Sequence, residues 1–110
     1  MHKINIIMRN GKEHNLDAVM HSVGPGWHKL VRRLVEDLYA LGWDGHLFQM
    51  KEKFGGLRFY IGQASPAIYE RISQAEAESY KTCEECGAEG SGSTINGWIS
   101  TRCETHKMRT

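Results

Sequence analysis

Cysteine is scarce in this sequence and confined to one end: of 110 residues three are cysteines, at positions 83, 86 and 103. An odd count leaves one thiol unpaired and argues against a disulfide framework, so a disulfide-built secreted domain is not expected. No apolar run approaches the length of a membrane-spanning helix, and the first residues lack the layout of a secretory signal. Reduced thiols and a cytoplasmic location are therefore expected, with no membrane partner. A surplus of one charge is missing too. Fourteen Lys and Arg against thirteen Asp and Glu give a formal +1, not the basic balance of a general nucleic-acid binder. There is no internal repeat. Gly24-Pro25-Gly26 lacks the strand–glycine–helix setting of a phosphate-cradling loop, and no small-molecule substrate is evident.

What is present is a metal-ligand pattern. Cys83 and Cys86 are separated by two residues and are followed by Gly87; after sixteen residues between Cys86 and Cys103, Cys103 and His106 repeat the gap. Two thiolates so spaced grip one ion from a tight backbone turn, and a glycine permits the close backbone approach. Residues at i and i+3 share one side of a first helical turn. Soft and borderline ligands of the Cys3His type suit tetrahedral zinc and fill its coordination sphere, so Zn2+ at Cys83, Cys86, Cys103 and His106 is expected to be structural. Three thiolates and one zinc ion bring the net charge of the loaded chain to about zero. Every cysteine is then used, leaving no thiol nucleophile. His14, Asp17, His21 and His28 form the other polar cluster, at a spacing that matches no catalytic signature.

The rest reads as one small α+β protein, with residues 1–80 as an α+β domain and 81–110 as a zinc module packed on it. Lys3 to Arg9 reads as a strand, turning at Asn10-Gly11 into a weaker strand over Lys12 to Leu16. Asp17 to Val23 suggests a helical turn. Trp27 to Leu41 carries an apolar stripe at three- and four-residue steps (Leu30, Val31, Leu34, Val35, Leu38, Leu41) and ends at Gly42. His46 to Gly62 reads as a hairpin turning near Phe54-Gly55-Gly56. Its alternation puts Phe48, Met50, Phe54, Leu57, Phe59 and Ile61 on a core face, with Glu52 among them. Gln49, Lys51, Lys53, Arg58 and Tyr60 fall on the other face. Ser65 caps a helix with Pro66 first, whose stripe is Ile68, Ile72, Ala75 and Ser79. Residues 88–97 are Ser- and Gly-rich and read as a loop before a short strand to Thr101. Trp98 is expected to pack as a lid on that small hairpin. Knuckle, hairpin-like segment and helix start together suggest a treble-clef or zinc-ribbon-like module.

The even total hides uneven charge. Residues 1–64 hold nine basic and six acidic side chains (+3), residues 65–101 two and six (−4), and residues 102–110 three and one (+2). Such segregation can steer a partner. The candidate surfaces are the basic hairpin face (Lys51, Lys53, Arg58, Tyr60), the basic end (Arg102, Lys107, Arg109) and the acidic run, in which Glu76, Glu78, Glu84 and Glu85 join Glu70 and Glu89. The reading is a non-enzymatic, zinc-stabilised protein-interaction module. The alternative is a nucleic-acid-binding zinc protein that uses the basic hairpin face.

Three stretches, K-E-K-F-G-G-L-R-F-Y, A-E-A-E-S-Y-K-T-C-E-E-C-G and G-W-I-S-T-R-C-E-T-H, together resemble a family of small zinc-knuckle proteins found in bacteria and their phages. The resemblance spans about residues 27–107. It implies zinc at the same four ligands and no particular activity. By association it suggests a phage counter-defence protein acting in the host cytoplasm, for example an inhibitor of a CRISPR-type immune complex whose acidic side chains stand in for phosphates.

Overall fold

The computed structural model describes residues 4–107. Lys3, at the start of the first expected strand, and Arg109, in the basic end, lie outside them. Strands β1 (Asn5–Met8) and β2 (Glu13–Asn15) form a hairpin; α1 (Leu16–Val19) and two 3-10 turns lead into α2 (His28–Ala40). Strands β3 (His46–Lys53) and β4 (Gly56–Ile61) follow, then α3 (Pro66–Ser79), β5 (Ser91–Ile95), β6 (Trp98–Arg102) and α4 (Glu104–Lys107). The chain is an α+β protein with a four-stranded sheet in the order β2-β1-β3-β4 and a separate two-stranded sheet, β5-β6. Hairpin pairings are antiparallel, but β1 and β3 run parallel. Alternation within a strand does not specify that pairing; it follows from the crossover through α2, which returns the chain beside β1.

Helix α2 forms the centre. Leu30, Val31, Leu34, Val35 and Leu38 are buried together with Ile6, Leu47, Met50, Leu57 and Phe59 from the sheet. Each such side chain contributes roughly 1.5–3 kcal/mol of burial. The helix ends at Gly42, whose φ of +95° is left-handed. Gly42 N–H donates to Tyr39 O at 3.0 Å and Trp43 N–H to Leu38 O at 2.9 Å, the paired bonds of a Schellman cap. Leu41 was expected on the stripe, but it falls past the last helical residue and is exposed. Trp43 takes the buried place instead, against Tyr39 and Phe59, with ring centroids 5.2 and 5.9 Å away.

The β3–β4 register follows the expected alternation from Gln49↔Tyr60 to Lys53↔Gly56, then slips between Leu47 and Gln49. The slip puts Leu47 in the core and leaves Phe48 exposed, because one extra residue reverses the facing of what precedes it. Phe54 also leaves the expected core face. It and Gly55 hold φ of 54° and 82°, the left-handed pair of a tight two-residue turn, and Phe54 is exposed at the tip.

Helix α3 starts as expected, with Ser65 Oγ accepting from Ile68 N–H and Pro66 in the first turn. It buries Ile68, Ala75 and Ser79, with Ile72 half-buried. Ser79 Oγ accepts from Leu57 N–H at 2.9 Å, so the helix covers an otherwise open edge of β4. Arg33–Glu78 at 2.7 Å and Arg71–Asp37 at 2.8 Å pair α2 with α3. Among the described residues no helix is long and apolar enough to cross a membrane.

Candidate metal centre

The knuckle is built by the backbone. Cys83 N–H donates to Ala88 O at 2.8 Å and Gly87 N–H to Cys83 O at 2.9 Å, with Gly87 in a left-handed conformation. The chain then forms the β5–β6 hairpin and turns into α4, where His106 N–H donates to Cys103 O at 3.1 Å. Knuckle, hairpin, then helix is the treble-clef order. The segment before β6 is a strand, not a loop, because every residue of β5 pairs with β6 across Asn96-Gly97. Those two carry φ of 52° and 81°, so the Asn-Gly turn outweighs a composition typical of loops.

The fold brings Cys83, Cys86, Cys103 and His106 together, with their ligand atoms all within 4.8 Å of one another. Cys103 Sγ lies 3.1 Å and Cys83 Sγ 3.4 Å from His106 Nδ1, and the Cys86 and Cys103 sulfurs are 3.6 Å apart. A tetrahedral ion with bonds of about 2.0–2.3 Å separates its ligand atoms by about 3.4–3.8 Å, so the quartet fits a metal ion. Burial disfavours the Cys83 thiolate, but the N–H groups of Cys103, Cys86 and Glu85 outweigh it and lower its pKa to about 6. For Cys86 the Ala88 N–H favours the thiolate, yet desolvation and the Cys103 and Cys83 sulfurs raise the pKa overall. A cation among the sulfurs removes that conflict. Glu85 Oε2 lies 3.8 Å from His106 Nε2, and its other oxygen 3.9 Å from Arg102, a position from which it can orient the imidazole. Among the described residues no second group of three or more Cys, His, Asp or Glu is so placed. Asp17 is paired with Arg32 and His28 reaches Val23 O at 3.3 Å.

Beyond its link to α3, the segment that carries the four ligands is hydrogen-bonded to earlier parts of the chain at two places among the described residues. At one, Gly26 N–H donates to Glu84 O at 2.7 Å, and Trp27 Nε1–H to Thr82 O at 2.9 Å. A Cβ on Gly26 would lie 2.0 Å from Cys83 O, so only glycine lets the backbones meet there. Gly24-Pro25-Gly26, which lacks the setting of a phosphate-cradling loop, is thus the seat of the knuckle. At the other, buried Thr101 donates from Oγ1 to Gly55 O at 2.6 Å.

The remaining candidate residues are distributed as follows. Lys51 stands opposite Arg58, and Lys53 opposite Gly56. Arg58 meets Glu76 at 3.0 Å and the Tyr80 hydroxyl at 3.0 Å, joining a basic candidate to an acidic one. Tyr60 is exposed. Glu78 is held by Arg33. Glu84 Oε2 accepts from Thr101 N–H at 2.7 Å, and burial raises its pKa against that bond. Trp98, expected as a packing lid, is instead 79% exposed, and Phe54 is 62% exposed. Trp98 follows directly on the Asn96-Gly97 turn, which carries it out at the tip. The signal was that turn. No family model matches the chain, and neither does a curated protein or a solved structure.

Proposed function

We propose that the chain is a zinc-stabilised, non-enzymatic interaction module that works through its hairpins and not at the metal. The observation that carries the reading is the seating of the quartet. Its four ligand atoms lie within 4.8 Å of one another, and the segment that holds them is hydrogen-bonded to both the start of α2 and the tip of β3–β4. A full coordination sphere leaves no site for activated water, so the ion braces the fold. Zinc suits a Cys3His set better than the oxygen-seeking cations do. The surface so braced is the pair of hairpin tips, where Phe54, Trp98 and Ile99 stay exposed. Exposed aromatic clusters mark recognition sites, and aromatic side chains are enriched where proteins bind partners.

The counter-defence role suggested by the family resemblance would run through the same surface. Phosphate mimicry by the acidic run is less favoured, since Glu76 and Glu78 already carry arginine partners. Native mass spectrometry tests the metal: one zinc per chain is expected, lost in Cys83→Ser. A chain purified without metal that keeps the same melting temperature and protease resistance would overturn the reading.

A further inference from the structure

We infer that the outer face of the β3–β4 hairpin and the adjoining tip of β6 form a binding site for single-stranded nucleic acid. This rests on the interaction-module reading above and names its partner. Sheet alternation gives Lys51, Lys53, Arg58 and Tyr60 one face, and at its end Lys53 Nζ lies 5.6 Å over the Phe54 ring. Across from Phe54 stands Trp98, between two clefts. One, of about 420 Å³, is lined by Glu52, Lys53, Phe54 and Trp98; the other, of about 380 Å³, by Glu52, Glu84, Trp98, Ser100 and Arg102. Lys51 and Lys53, with the exposed rings of Phe54, Tyr60 and Trp98, supply cations and ring faces, the two things an unpaired strand offers partners for: phosphates and bases.

The charge bookkeeping of the fold points the same way. Among the described residues Lys51 and Lys53 have no ion-pair partner. Arg58 is paired with Glu76, and Arg102 lies 3.9 Å from Glu85. The two acids that line the clefts have backbone donors: Glu52 accepts from Gly55 N–H at 2.7 Å and Glu84 from Thr101 N–H. With those two carboxylates on backbone donors, Lys51 and Lys53 are left without a carboxylate among the described residues. Protein interfaces are depleted in lysine, whereas a lysine beside a ring is what a phosphate and its base require. Duplex is disfavoured, because its bases are already stacked and cannot lie on Phe54 or Trp98.

The test uses the full chain with fluorescein-labelled single strands of mixed sequence, about 20 nucleotides long, as DNA and as RNA, followed by anisotropy. Binding of either strand, poorly competed by unlabelled duplex, is expected. With two or three phosphates engaged, affinity should fall about 7- to 20-fold between about 50 and about 200 mM salt. Trp98→Ala should weaken binding about 5- to 150-fold with the salt slope unchanged. Lys51→Gln with Lys53→Gln should flatten the slope by about 1.4. Trp27 and Trp43 are buried, so quenching of tryptophan fluorescence on binding should disappear in Trp98→Ala. No binding at low salt, binding indifferent to Trp98, or equal competition by duplex each overturns the inference. If single strands fail while a protein partner is lost on Trp98→Ala, the inference falls and the module reading stands; if Trp98 affects neither, both fall.

Discussion

The two hairpins of this protein turn in the same way and are held in different ways. Phe54-Gly55 closes β3–β4 with φ of 54° and 82°, and Asn96-Gly97 closes β5–β6 with 52° and 81°. The first hairpin buries Met50, Leu57 and Phe59 against α2 and has α3 along its open edge. The second has one fully buried side chain among its described residues, Thr101, and that side chain is polar. A two-stranded ribbon without an apolar face is marginal in water. The difference shows what the metal site supplies. Where the chain has no hydrophobic side to bury, hydrogen bonds to its neighbours hold the ribbon, and an ion bound by the four ligands would take the place of a core.

Breaking the quartet should separate the two hairpins most sharply. Cys83→Ser, or chelation, should collapse amide-exchange protection in β5–β6 and α4 while β3–β4 keeps most of its own. Equal loss in both would mean that the two are one cooperative unit. Leu34→Ala is the converse experiment. Leu34 is fully buried, so denaturant unfolding should record a loss of about 2–5 kcal/mol, with metal retained in the native state. Gly26→Ala attacks the join: forcing a Cβ into 2.0 Å from Cys83 O should cost about 1–3 kcal/mol. The expected signature is a lower midpoint for metal loss, measured by chelator competition, beside an almost unchanged exchange pattern in β1–β3. Trp98→Ala should do least, within about 0.5 kcal/mol in thermal unfolding. A larger loss would restore the packing role that the sequence suggested for that residue.

The elements that could be read from sequence are those whose determinants are local. The Cys3His spacing, the stripe of α2 with its Gly42 stop, the Ser65-Pro66 start of α3 and the facing of Gln49 to Lys53 each follow from neighbouring residues. What could not be read depends on distant ones. Strand β5 is Ser-Gly-Ser-Thr-Ile, and only pairing with β6 makes it a strand. The slip beside Phe48 and the parallel β1–β3 pair depend on how β3 meets its neighbours. The segregated charges along the chain also promised more surface field than the fold leaves, because Arg33 and Arg58 reach across to Glu78 and Glu76. Candidate surface residues were identifiable by type, but which of them stay unpaired is decided by tertiary neighbours.

The bond from Thr101 Oγ1 to Gly55 O has a thermodynamic consequence. It joins the turn that carries Phe54 to the strand that carries Trp98, so the span between the two rings depends on how the metal segment is seated. Anything gripping both rings at once favours the seated arrangement, and so does the ion. Linkage then requires the two to be reciprocal: the factor by which metal raises affinity for a ligand across the tips equals the factor by which that ligand raises retention of the metal.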